Sequence, residues 1–258
     1  LGDFLIENSS IRVVVSDIQH STEFSSVGGN IIDLAKKSDN LDYFGEIYFD
    51  GFRYSFTRYE IQLPDEEHKE GVLRFFGRSS DNSNLAITQE YRVKPDDNII
   101  RVVTIIENKA TEPQSVELKD KVVWGGGMLF IGQHGSPPPT EKVETECDWV
   151  CGRVENYSVG LTIAKGQMKT SNLRNISDIT YKKASISPGS KMTLERYMYV
   201  GDRDISRITG FVIDLRKEPH GYITGTVIEA GKETPVPDVE VRVRCDRIGE
   251  QKVPPRPY

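Results

Sequence analysis

The residues best suited by type and spacing to move protons are Asp17, His20 and Glu23, an imidazole between two carboxylates within seven positions. Histidine and a carboxylate are the usual partners for general acid–base chemistry near neutral pH. On an extended chain Asp17 and His20 project to opposite sides, so convergence requires a turn, and the flexible Gly28-Gly29 pair lies close by. The trio reads either as a catalytic or ligand-contacting group or as a hydrogen-bond network that stiffens a loop. A second candidate is Trp124-Gly-Gly-Gly127. An indole beside three glycines leaves room for a flat ligand to stack, and the C–H faces of carbohydrates favour such platforms; the alternative is an indole that closes one end of a core. His134, in Gly132-Gln-His-Gly135, occupies a loop that could reach the same end of the fold.

Other reactive types carry less. Trp149 is expected to pack inward, His68 lies in the charged run Asp65 to Glu70, and His220 falls in a linker. Three cysteines are too few, and odd in number, for a disulfide scaffold. If Cys147 and Cys151 share one strand they are about 13 Å apart, beyond disulfide reach, and buried free thiols are expected. A zinc set needs about four convergent groups and only His134 is near in sequence, so no metal and no cofactor is expected. There is no nucleophile elbow, Walker loop, dinucleotide glycine fingerprint or His-Glu-x-x-His. That lowers the case for an enzyme, although a site assembled from distant strands would leave no local motif.

The elements that must position these residues are strands. Ile11, Val13 and Val15 share a face; Leu85, Ile87, Gln89, Tyr91 and Val93 alternate with Thr88, Glu90 and Arg92; and Ile99 to Ile106 follows the turn Pro95 to Asn98. Gly51 to Leu63, Val72 to Gly77, Ser115 to Trp124, Tyr157 to Ala164 and Lys191 to Val200 fit the same template. The expected class is all-β: a large antiparallel sandwich, since two layers bury one face of each sheet. Ile31 to Phe49 reads as a long irregular loop. The prolines of Gly135 to Thr140 lack amide donors and belong on the surface. In Asp202 to Arg216, Ile205, Ile208, Phe211, Val212 and Leu215 recur at helical spacing, so a single amphipathic helix is expected against the sandwich edge, with Asp202 or Asp204 at its start and Pro219 after its end. A domain boundary falls near residue 217, dividing 1–217 from 218–258.

Composition narrows the partners. A formal charge of −6 argues against nucleic acid, which requires a clustered basic face, and no apolar run approaches the roughly 20 residues of a membrane span. The chain starts at Leu1 without a leader, which leaves the compartment open.

Two stretches carry family resemblances. Gly225-Thr-Val and Pro235-Val-Pro-Asp-Val-Glu-Val-Arg-Val243 resemble the carboxypeptidase regulatory-like module, an immunoglobulin-like β-sandwich in which Val239, Val241 and Val243 would face one core. About 40 residues are present, roughly half of what such a sandwich needs, so further domains of the same polypeptide are expected beyond Tyr258. The first 215 or so residues resemble the galactose-mutarotase-like supersandwich family. More narrowly, Asn8 to Leu34 and Asp120 to Gly126 are similar to the region preceding the metal-dependent domain of bacterial hydrolases of the polymerase-and-histidinol-phosphatase class. That resemblance implies metal chemistry, and the four scattered histidines here place it outside this stretch.

The mutarotase resemblance implies a histidine acid and a carboxylate base across a sugar ring, in a groove rimmed by aromatic rings. The expectation that follows is an accessory region, without catalysis of its own, in a larger secreted or envelope protein, with Trp124, His134 and His20 as carbohydrate contacts. One alternative is an epimerase or lyase using His20 or His134 as acid and Glu23 or Asp17 as base. Another is an interaction module that binds protein through an exposed sheet edge.

Overall fold

The computed structural model describes residues 2–38, 44–137, 140–154, 156–221, 225–237 and 239. Sixteen strands among them form two eight-stranded antiparallel sheets, so the all-β expectation holds. In chain order, β1 (Phe4–Glu7), β2 (Ile11–Val15), β3 (Ile31–Lys36) and β4 (Glu46–Phe49) enter the first sheet. β5 (Tyr54–Gln62), β6 (Gly71–Ser79), β7 (Leu85–Val93) and β8 (Ile99–Asn108) then form a meander in the second. β9 (Gln114–Val123) returns to the first sheet, β10 (Met128–Ile131) to the second, and β11 (Val143–Cys147) to the far edge of the first. β12 (Trp149–Arg153) and β13 (Tyr157–Thr162) lie in the second sheet, β14 (Met168–Leu173) and β15 (Ile176–Ile186) in the first, and β16 (Lys191–Asp202) in the second. The first sheet runs β1-β2-β3-β4-β9-β15-β14-β11 and the second β10-β12-β13-β16-β8-β7-β6-β5.

Alternation decides what lies between the sheets. Ile11, Val13 and Val15 of β2, Val116, Leu118 and Val122 of β9, and Leu85, Ile87, Tyr91 and Val93 of β7 are buried in one continuous core. Two expectations need correction. Ile31 to Phe49 is not a long loop, because β3 and β4 lie within it: the apolar Ile31, Leu34 and Ala35 pair with β2, and Ile47 and Phe49 pair alongside β9. The interruption at Ser38 to Asn40 separates two short strands, and residues 39–43 lie outside the described residues. The helix α1 (Ser206–Arg216) begins later than expected, since Asp202 still belongs to β16; the Ser206 amide donates to Asp204 at 3.0 Å. It covers the outer face of the second sheet and not an edge. Ile208 and Val212 pack with Trp149, Cys151 and Tyr199, and Ile208 seats against Gly160, where a side chain would collide with it. Arg216 pins the last turn by donating to Asp148 at 2.7 Å and to the Gly166 carbonyl at 2.9 Å.

Beyond α1, residues 227–236 make a small hairpin in which Ile228 bridges Pro235 and the Val236 amide donates to the Val227 carbonyl at 3.0 Å. Val227, Ile228, Val236 and Val239 are exposed there. Val241 and Val243, expected to share a core with Val239, lie outside the described residues.

Candidate functional site

The segment from Ser16 to Asn30, between β2 and β3, is folded back on itself by short-range bonds. The His20 amide donates to the Asp17 carbonyl at 2.9 Å, which is the turn that convergence requires. The side chains nonetheless diverge. Asp17 accepts the Gln19 amide at 2.9 Å, Glu23 is exposed, and the imidazole of His20 meets Asp3 at 2.8 Å. Asp3 also accepts the Asp17 amide at 2.9 Å, so it ties the start of the chain to this loop. The bond to Asp3, reinforced by its charge, raises the pKa of His20 above the ordinary imidazole range. Burial pushes the Asp3 carboxyl up, but the bonds from His20 and from the Asp17 amide outweigh it and leave its pKa lowered.

The carboxylate that does sit under the loop is Glu46, at the start of β4. It is buried, and it accepts Thr22 Oγ1 at 2.5 Å and Asn30 Nδ2 at 3.2 Å. Burial raises its pKa against the pull of those two bonds and of His20. The Tyr91 hydroxyl donates to the Gly29 carbonyl at 2.6 Å, and the Tyr54 hydroxyl donates to Asn30 Oδ1 at 3.4 Å. Gly28 permits the fold-back: a Cβ there would stand 1.8 Å from the Asp17 carbonyl oxygen. Gly29 has φ of 77°, a left-handed conformation that glycine adopts without strain.

Held in this way, the loop forms one wall of a groove of about 680 Å³ whose other wall is the β4–β5 connection. Phe24, 42% exposed, faces this space together with Tyr48 and Phe52, and Ser25, Ser26, Asp50, Arg53, Ser55, Ser80 and Asp81 supply hydroxyls and charges. Phe52 is braced edge-on by Phe49 at 5.4 Å and by Tyr54 at 6.2 Å. Burial, with the nearby charges of Asp50 and Glu46, pushes the Tyr48 hydroxyl up to about 12, so at neutral pH it is a hydrogen-bond donor. Aromatic faces beside fixed donors and acceptors can hold a polyhydroxylated ligand by stacking and hydrogen bonding.

Trp124 lies elsewhere, in the core. It is 2% exposed, meets Phe44 edge-on, and donates Nε1 to Ser177 Oγ at 2.7 Å. A ring so enclosed offers no stacking platform, and Trp124 packs as a core residue. His134 is exposed beside β11, with Nε2 3.0 Å from both the Glu146 carbonyl and Thr145 Oγ1. His20, Trp124 and His134 are therefore not brought to one groove. Cys147 and Cys151 occupy different strands in different sheets and are buried free thiols; burial pushes Cys147 up to about 12 and Cys151 higher. Among the described residues no cluster of three or more His, Cys, Asp and Glu could hold a metal, and no helix is long and apolar enough to cross a membrane.

Sequence reasoning missed Asp3, Thr22, Asn30 and Glu46, and also a polar seam inside the sandwich. Arg196 of β16 pairs with Asp120 of β9 at 3.0 Å and donates to Thr104 at 2.8 Å, while Tyr181 donates to Asp120 at 2.8 Å. A charge at a core position of a strand was the available signal: Asp120 alternates with the core residues Leu118 and Val122.

No protein-family model matches this chain, and no curated protein sequence matches it. Solved structures match in shape. A putative aldose 1-epimerase from Escherichia coli K12 is 8% identical with a TM-score of 0.53, over 78% of this chain and 99% of that one. A galactose mutarotase-like protein from Lactobacillus casei ATCC 334 is 9% identical with a TM-score of 0.50, over 77% and 100%. An alpha-galactosidase from Lactobacillus brevis is 9% identical with a TM-score of 0.52, over 84% of this chain and 42% of that one. At such identities the likeness is one of fold, and the two-sheet body of this chain has the fold of the galactose mutarotase-like proteins.

Proposed function

We propose that this chain is a saccharide-binding accessory unit of a larger protein, and that the Phe24–Tyr48–Phe52 groove holds the sugar. The observation that carries the reading is the separation of roles around one loop. Aromatic rings and hydroxyls face the groove, whereas His20 and Glu46 are engaged with Asp3, Thr22 and Asn30. The L. brevis alpha-galactosidase carries this sandwich shape within a chain more than twice as long as the matched part, which supports an accessory placement. In the same reading residues 218–258 belong to an immunoglobulin-like module.

The test is calorimetric titration with a panel of neutral hexoses and their oligomers. Phe24→Ala and Tyr48→Ala should each weaken binding roughly two- to tenfold, the loss of one stacking contact. A panel that gives no binding, or binding indifferent to both substitutions, removes the groove from consideration.

One observation favours a second reading, a carbohydrate-active enzyme of epimerase type. Glu46 has its carboxyl pKa raised by burial and lies near enough to His20 to feel its charge. Proton NMR of hexose anomer exchange decides this: a rate above that of buffer which vanishes in both Glu46→Gln and His20→Gln would establish turnover.

A further inference from the structure

The two sheets leave one side of the sandwich open. β1, four residues long, is the end strand of the first sheet, and β5, nine residues long, is the end strand of the second. Phe4 meets Tyr59 and Phe75 ring to ring, with centroids 4.6 and 5.5 Å apart, so both free edges flank the same opening. Register shows which face β5 presents. Tyr59 and Ile61 stand opposite Phe75 and Leu73, which are buried core residues, and directly opposed residues share a face. The far half of β5 therefore turns its core side to solvent. Leu5, Tyr59, Ile61 and Leu63 are 61%, 43%, 59% and 75% exposed, four of the seven large hydrophobics left exposed among the described residues 2–221.

Between these edges runs an apolar groove of about 380 Å³. The surface that continues from it at Pro64, Lys94 and Pro95 carries Asp65, Glu66, Asp96 and Asp97 against only Lys69 and Lys94. Free strand edges are normally protected, because unpaired amides and carbonyls recruit passing chains, and a clustered apolar exposure of this kind marks an interaction site.

We propose that this opening captures an extended peptide segment in which apolar residues alternate with lysine or arginine, added as a strand to the β1 edge beneath Ile61 and Leu63. The apolar side chains cover the exposed core face of β5. The basic ones at the end of the segment nearest Pro64 and Pro95 meet the acidic rim, and that charge match selects a basic over an acidic segment. The surface is separate from the Phe24 groove and does not depend on the saccharide reading.

The test is fluorescence anisotropy on the whole chain with labelled ten-residue peptides: valine alternating with arginine, valine alternating with glutamate, and a scramble of the first that breaks the alternation. The expected result is saturable binding of the alternating basic peptide, weaker for the scramble and reduced by added salt. Ile61→Asp with Leu63→Asp should weaken it at least tenfold while the thermal melt stays unchanged, and Leu63→Asp alone should weaken it in the same direction if the double variant folds poorly. Asp96→Lys with Asp97→Lys should lower affinity for the basic peptide and raise it for the acidic one. The proposal is overturned by equal binding of basic and acidic peptides, by binding that survives both sets of aspartate substitutions, or by absence of binding. Sedimentation that shows paired chains, dissolved by Ile61→Asp with Leu63→Asp, would overturn it in favour of a second copy as the occupant.

Discussion

Asp120 and Arg196 meet 3.0 Å apart between the two sheets, each 1% exposed, and join β9 of one layer to β16 of the other. Burial raises the Asp120 pKa against the opposing charge of Arg196. Thr104 and Tyr181 supply further hydrogen bonds around the pair.

Removing one partner strands a charge in the core. Arg196→Met should cost about 3–5 kcal/mol at neutral pH, measured by urea unfolding, whereas Asp120→Leu with Arg196→Met should cost much less than the sum of the single changes. The deficit of Arg196→Met should also shrink as pH falls, because protonation neutralises the stranded Asp120. A double variant as unstable as the added singles would refute the coupling.

Glu46 titrates with the opposite sign from a surface carboxylate. Its pKa in the fold is raised above the ordinary 4.5 by burial, so the unfolded chain releases this proton first and stability falls as pH rises from 4.5 through the folded value. Glu46→Gln should flatten that part of the stability profile. An unchanged slope in denaturant titrations at several pH values would show that another group is responsible.

The His20–Asp3 pair loses its contribution at both ends of the pH range, His20 with the same sign as Glu46 and Asp3 with the opposite one. The His20 pKa is raised, so its contribution is complete below about 6.5 and is lost as pH rises through the folded value. The Asp3 pKa is lowered, so its contribution is present above about 4 and is lost as pH falls through the folded value. The difference in melting temperature between the natural chain and His20→Gln should therefore be widest between about pH 4 and about 6.5 and close as pH rises through the folded value of His20. NMR titration of the His20 ring checks the same shift directly.

Trp124 separates core from ligand. Trp124→Ala should destabilise by about 3–5 kcal/mol through the cavity it leaves, and Ser177→Ala by about 1–3 kcal/mol because the buried indole N–H loses its acceptor. Neither should alter saccharide affinity at the Phe24 groove at temperatures where the variants remain folded. A selective loss of sugar binding in Ser177→Ala would return Trp124 to the binding site.

Much of the fold was legible because period-two alternation is a local property. Leu85 to Val93 declares its buried face whatever it pairs with, and the helical spacing of Ile208 and Val212 declares a helix. β3 and β4 were not legible, because four to six residues interrupted by polar ones carry too little pattern to distinguish a strand from a loop. The candidate site was legible only in its address. The sequence directed attention to the loop of Asp17, His20 and Glu23, but local spacing cannot report partners from other strands. Asp3 arrives from the start of the chain, Glu46 from β4 and Tyr91 from β7. By itself the sequence determined an antiparallel two-layer body, through alternation and turn residues that act over a few positions. Only the tertiary structure decided that Trp124 is enclosed, that Glu46 lies under the loop and that Arg196 finds Asp120, because burial and ion pairing depend on which strands the sheet order brings together.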